Sequence, residues 1–110
     1  MGATKSEIFT PAQNHMARMT KALAHPARIA IIQYLFARRS CVCGDIVDVV
    51  GLAQPTISQH LKELKSAGLI KGSVEGTSVC YCIDQKNWSV MKDLLSPFLN
   101  LDAAILNDCC

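Results

Sequence analysis

The stretch Ile46-Val47-Asp48-Val49-Val50-Gly51-Leu52-Ala53-Gln54-Pro55-Thr56-Ile57-Ser58-Gln59-His60-Leu61-Lys62-Glu63-Leu64-Lys65-Ser66-Ala67-Gly68 decides the fold. Gly51 stops a short apolar helix. Gln54-Pro55 then opens a second one, where a proline's missing N–H costs nothing because the first helical turn leaves its donors unpaired. Ile57, Leu61 and Leu64 recur at helical spacing and define a buried stripe, and Gly68 ends the helix. Two helices joined by a three-residue turn, the second polar on its outer arc, have the spacing of a helix-turn-helix.

Working outward, Leu69 to Val74 and Thr77 to Ile83 read as two strands around a Glu75-Gly76 turn, a hairpin placed where a wing would follow the reading helix. Upstream, Met16, Met19, Thr20 and Leu23 mark a helix from Gln13 to Ala24. His25 then acts as a cap before Pro26, and a second helix runs through Ala37 with Ile29, Ile32, Leu35 and Phe36 on one face. Ser40 is placed to N-cap the short helix that ends at Val50. Downstream, Trp88, Met91, Leu95 and Phe98 predict a helix reaching about Leu106, kinked or broken at Pro97. The expected fold is a mostly α winged helix-turn-helix with a small β-hairpin. Residues 13–106 form its domain, 1–12 a flexible leader and 107–110 a cysteine-containing tail.

The composition agrees. A chain of 110 residues is one domain, and 50% hydrophobic residues is too apolar for disorder. No apolar run is long enough to span a membrane, and Met1 to Pro11 has no signal-peptide stretch, so a soluble cytoplasmic protein is expected. A net charge of +2 neither demands nor excludes nucleic acid; the charge has to be located. With Ile57, Leu61 and Leu64 inward, the outer arc of the second helix carries Thr56, Gln59, Lys62 and Glu63, with Ser58 and Lys65 on its flank, and Gln54 at its start joins the expected DNA contacts. Hydroxyls and amides there suit phosphates and base edges, Gln59 being able to pair bidentately with adenine. Lys62, Lys65 and Lys71 would neutralise phosphates of double-stranded operator DNA. The terminal helices, with Met16, Met19, Leu23, Trp88, Met91, Leu95 and Phe98, offer more apolar face than one small core covers. A homodimer through the first and last helices follows, matching a two-fold operator.

Six cysteines fall in three tight pairs: Cys41-Val42-Cys43, Cys80-Tyr81-Cys82 and Cys109-Cys110. In a reducing compartment, clustered thiols point to a soft-metal or redox site rather than to staples. Residues two apart on a regular helix point about 200° from each other. Cys41 and Cys43 could therefore face one ion only if Cys41 sits at or before the helix start. Cys80 and Cys82 share one side of a strand but read as small apolar packing residues.

The chain resembles the ArsR/SmtB family of metal- and stress-responsive repressors. The resemblance rests on Leu23-Ala24-His25-Pro26-Ala27-Arg28, Cys41-Val42-Cys43-Gly44-Asp45-Ile46, Gln54-Pro55-Thr56-Ile57-Ser58-Gln59-His60-Leu61 and Leu69-Ile70-Lys71, followed by the hairpin to Tyr81. It covers about residues 13–106 and implies a dimeric repressor released from its operator by an inducer. Cys41-Val42-Cys43 is similar to the arsenic and antimony sensors, which implies trivalent arsenic or antimony as inducer, and also to the cadmium and lead sensors. Where the family's arsenic sensors carry a third helix cysteine, this chain has Ile46, so Cys109 and Cys110 are the expected source of the third thiolate. Thiol-redox or persulfide sensors of the family imply instead a pairing of Cys41 or Cys43 with Cys109 or Cys110. The family's zinc and nickel sites need His or Glu on the last helix, and Asn87 to Leu106 holds neither. No Cys-His-acid arrangement and no Cys-x-x-Cys motif suggests an enzyme.

Overall fold

Thr10 sets the first helical boundary. In the computed structural model, which describes residues 7–44, 46–76, 78–102, 104 and 106, its hydroxyl accepts the Gln13 backbone N–H at 3.0 Å. The Gln13 side-chain oxygen in turn accepts the Thr10 N–H at 2.9 Å. This reciprocal capping box starts α1 (Pro11–Leu23) two residues before the predicted Gln13. His25 caps α2 (Pro26–Arg38) as expected, its Nδ1 accepting the Ala27 N–H at 3.0 Å.

The next segment departs from expectation. No helix begins at Ser40, whose hydroxyl donates back to the Arg38 carbonyl at 3.4 Å. Val42–Cys43 instead forms a strand, β1, and the short helix α3 is confined to Ile46–Val50. Two causes are visible. Val42 is buried at 3% exposure in the core, and Gly44 adopts φ 94°, a left-handed conformation that interrupts any continuous helix. α4 (Gln54–Ser66) follows after the three-residue turn, then β2 (Ile70–Glu75), β3 (Ser78–Ile83) and α5 (Gln85–Leu99).

The sheet is antiparallel with order β1-β3-β2, so the expected two-stranded wing gains a third strand. Ile70 pairs with Ile83, Lys71 with Cys82 and Gly72 with Tyr81 on one side of β3. On the other side Val42 pairs with Tyr81 and Cys43 with Cys80. β1 thereby covers a strand edge that a bare hairpin would leave unpaired.

One core joins helices and wing. The predicted stripe of α4 is buried, with Ile57, Leu61 and Leu64 packed against Ile31, Leu35, Val42, Ile46, Leu69, Ile70 and Met91. On α2 the buried face is rotated from the predicted one: Ile31, Ile32 and Leu35 are inside, while Ile29 and Phe36 are exposed. α5 starts at Gln85, three residues before Trp88, because Asp84 caps it by accepting the Asn87 N–H at 3.1 Å. It ends at Leu99, short of the predicted Leu106, with Pro97 inside its last turn. Met91 is buried, Trp88 and Leu95 half-buried and Phe98 exposed. No helix among the described residues is long and apolar enough to cross a membrane.

Candidate nucleic-acid interface and thiol site

Burial of Ile57, Leu61 and Leu64 fixes the rotation of α4 and so decides what it presents. Gln54, Thr56, Ser58, Gln59, Lys62 and Lys65 are all exposed, as is Lys71 on β2. The Gln54 amide nitrogen donates to the Ser58 hydroxyl at 3.0 Å, which orders the first turn of that face. Ala53, at the N-cap, supplies no side-chain bond, so the first backbone N–H groups of α4 have no cap partner. Together with the helix dipole they favour a phosphate oxygen at the end where the hydroxyls cluster.

A polar bracket that sequence reasoning did not identify holds α4 against α2. Arg28 Nε donates to His60 Nδ1 at 3.0 Å, and another guanidinium nitrogen donates to the Ala22 carbonyl at 3.1 Å. The His60 ring lies 4.3 Å from that of His25, centroid to centroid. His60 is buried at this contact, at 7% exposure. Burial first, then the positive potential of His25 and Arg28, hold its pKa below the ordinary 6.5. A neutral ring is the one that can accept from Arg28 at Nδ1.

The thiols are arranged differently from the prediction. Cys41 directly precedes β1, and continuing the β1–β3 register by one residue sets it opposite Cys82. Both are free thiols, Cys41 exposed and Cys82 half-buried. The hydrogen bond between them, followed by burial, raises the Cys82 pKa above its usual 9.0, and Lys71 pulls in the opposite direction. Both line a cavity of about 500 Å³ with Phe36, Arg39, Lys71 and Gln85 among its walls. Lys71, predicted as a phosphate contact, therefore also borders the thiols.

Reading the wing pair as mere packing is corrected on this point: Cys82 meets Cys41, and Cys80 is buried and disulfide-bonded. Two Cys-x-Cys segments carry strand periodicity, and their central residues, Val42 and Tyr81, turn out to be register partners. Cys43 stands opposite Cys80 in the same register. Cys109 and Cys110 lie outside the described residues. Among the described residues no group of three or more His, Cys, Asp or Glu could hold a metal ion. Two adjacent thiols fit a soft, thiophilic centre that takes two sulfurs, and do not by themselves complete a tetrahedral zinc site.

A helical core carrying a helix-turn-helix and a β-wing defines the class: a winged-helix protein of the kind built around a DNA-reading helix. Residues 25–71 match the family described as bacterial regulatory protein, arsR family. An uncharacterized HTH-type transcriptional regulator of Methanocaldococcus jannaschii is 40% identical over 78 residues, which is 69% of this chain and 86% of that protein. The HTH-type transcriptional repressor SmtB of Mycobacterium tuberculosis is 44% identical over 63 residues, 57% of this chain. The match spans 46% of that repressor, about half its length. Among solved structures, the homodimeric winged helix-turn-helix DNA-binding domain of a possible ArsR-family regulator from Mycobacterium bovis superposes with a TM-score of 0.64. Its identity is 28%, over 79% of this chain and 80% of that one. The chain belongs to the ArsR family of bacterial regulatory proteins. These relatives are transcription regulators, not enzymes.

Proposed function

We propose that the chain is a homodimeric transcriptional repressor, released from its operator when trivalent arsenic or antimony is captured by cysteine thiolates. Double-stranded DNA would be read by Gln54, Thr56, Ser58 and Gln59 and held electrostatically by Lys62, Lys65 and Lys71. The observation that carries this reading is the place of Cys41: an exposed thiol at the junction where α2 passes into β1, immediately upstream of the α3–α4 reading unit, beside a second free thiol. Cys41 and Cys43 would hold the inducer, with Cys109 or Cys110 supplying a further sulfur. Soft thiolates select such centres over hard cations.

Capture at this junction couples to DNA only if the two dimer conformations bind the inducer with different affinity. The fold supplies a reason. Val42 belongs to the same buried core as Ile46, Ile57 and Leu61, so a displaced β1 would disturb the packing that orients α4. Support for the dimer comes from apolar surface left at the chain's ends: Ile8, Phe9, Val90, Phe98, Leu99 and Leu101 are exposed. Pairing through α1 and α5 would cover such a surface.

The test is a fluorescence-anisotropy titration of the reduced protein on a duplex from the region upstream of its own gene. Arsenite and antimonite dissociate the complex, zinc does not, and Cys41→Ser or Cys43→Ser loses the response while DNA affinity stays within a few fold. One observation favours a second reading, thiol-redox sensing: Cys80 is already disulfide-bonded beside the free pair. A complex that withstands arsenite and is broken by a persulfide donor would support it.

A further inference from the structure

We propose that wing residue Cys82 is a direct ligand of the inducer, and that Cys41 and Cys82 form a two-sulfur clamp for a trivalent arsenical across the β1–β3 junction. The proposal rests on the thiol-sensing reading above and replaces the tail as the source of the sulfur that partners Cys41. Three observations converge. Continuing the β1–β3 register by one residue sets the two residues opposite each other, and a side-chain hydrogen bond from Cys41 is the first cause of the raised Cys82 pKa. Both are free, and Cys41 is exposed, so a ligand from solvent has access. The cavity they share, about 500 Å³, has room for a ligand larger than arsenite, and both cysteines line its wall.

The chemistry balances without a redox partner. An arsenical bearing two hydroxyls loses both arsenic–oxygen bonds and gains two arsenic–sulfur bonds. The two thiol protons leave with the oxygens as two waters, and arsenic stays trivalent. The clamp also has a mechanical consequence. The same cavity is bordered by the end of α2, by both wing strands and by Gln85, the first residue of α5. One bridging atom therefore acts at once on the wing and on the root of the last helix, two regions on which DNA contact and dimer shape would depend.

Phenylarsine oxide is the direct probe, because its arsenic takes only two protein sulfurs. The full-length reduced protein is treated with one equivalent, digested with pepsin at low pH, and searched by mass spectrometry for arsenic-bridged peptides. A bridge joining a Cys41 peptide to a Cys82 peptide is expected. A bridge confined to residues 41–43, to 80–82 or to the tail overturns the clamp. In parallel, Cys82→Ser should raise the arsenite concentration needed for half-release of DNA at least tenfold, whereas a Cys109→Ser, Cys110→Ser double variant should leave it within twofold. The reverse ranking also overturns the clamp. Failure of arsenite to release the wild-type complex would instead overturn the sensing reading, and the peptide map still reports on the clamp.

Discussion

Removing Lys62 and Lys65 together should flatten the salt dependence of DNA binding, by an amount the structure sets. Both side chains are exposed on the outer arc of α4, opposite the buried Ile57, Leu61 and Leu64, and Lys71 is exposed on β2. Each phosphate neutralised on duplex DNA contributes a slope of about −0.9 to log K against log salt. Three lysines on each of two protomers therefore contribute a slope of about −5, or roughly a thousandfold loss of affinity between 50 and 200 mM salt. The Lys62→Ala, Lys65→Ala variant keeps only Lys71 and should retain a contribution of about −2, or roughly a tenfold loss over the same range. Alanine is the best helix former, so α4 itself should survive, and circular dichroism checks this. Anisotropy titrations at four or five salt concentrations give the slope. A slope unchanged within half a unit would show that α4 does not face the phosphates, and would refute the orientation argued from its buried stripe.

Other consequences can be checked with purified protein alone. Leu64 is fully buried between α4 and its neighbours, so Leu64→Ala should cost about 2–5 kcal/mol in chemical denaturation; a loss under 1 kcal/mol would mean the stripe is not the core. Gly68 has φ 82°, and an added Cβ would stand 2.7 Å from Asn87 Nδ2, which donates to the Gly68 carbonyl. Gly68→Ala should therefore destabilise by about 1–2 kcal/mol or more, and a neutral result would contradict the turn geometry. His60 has a folded pKa below 6.5, so the unfolded chain binds more protons and stability falls as pH drops below about 6.5. His60→Asn, which can still accept from Arg28 but does not titrate, should show a shallower decline between pH 6.5 and 5; equal declines would clear His60 of that role.

Much of the fold was legible because helical periodicity and punctuation agreed. Pro26 and Pro55 stand in the first turns of α2 and α4, Gly68 follows the end of α4, and Ile57, Leu61 and Leu64 could face only inward. The segment from Ser40 to Gly44 was not legible. Its strand pairing with β3 is a contact between residues about forty positions apart, which no local period reports. The thiol site suffered from the same blindness. Cys41 was identified as a sensor from its chemistry, but Cys82 was assigned to packing because its partner lies on another strand. His60 was recognised as a residue of the reading helix, while the Arg28 bond that anchors it depends on how α2 and α4 cross. In each case the missing information was tertiary placement, not residue chemistry.

The central claim joins two parts, a DNA-reading face and a thiol switch, and one titration addresses both. Reduced protein bound to a fluorescent duplex from upstream of its own gene is titrated with arsenite, with zinc as the control. Release by arsenite at near-stoichiometric concentration, lost in Cys41→Ser and absent with zinc, is the expected result. A complex that forms with normal salt dependence yet stays intact through excess arsenite would contradict it.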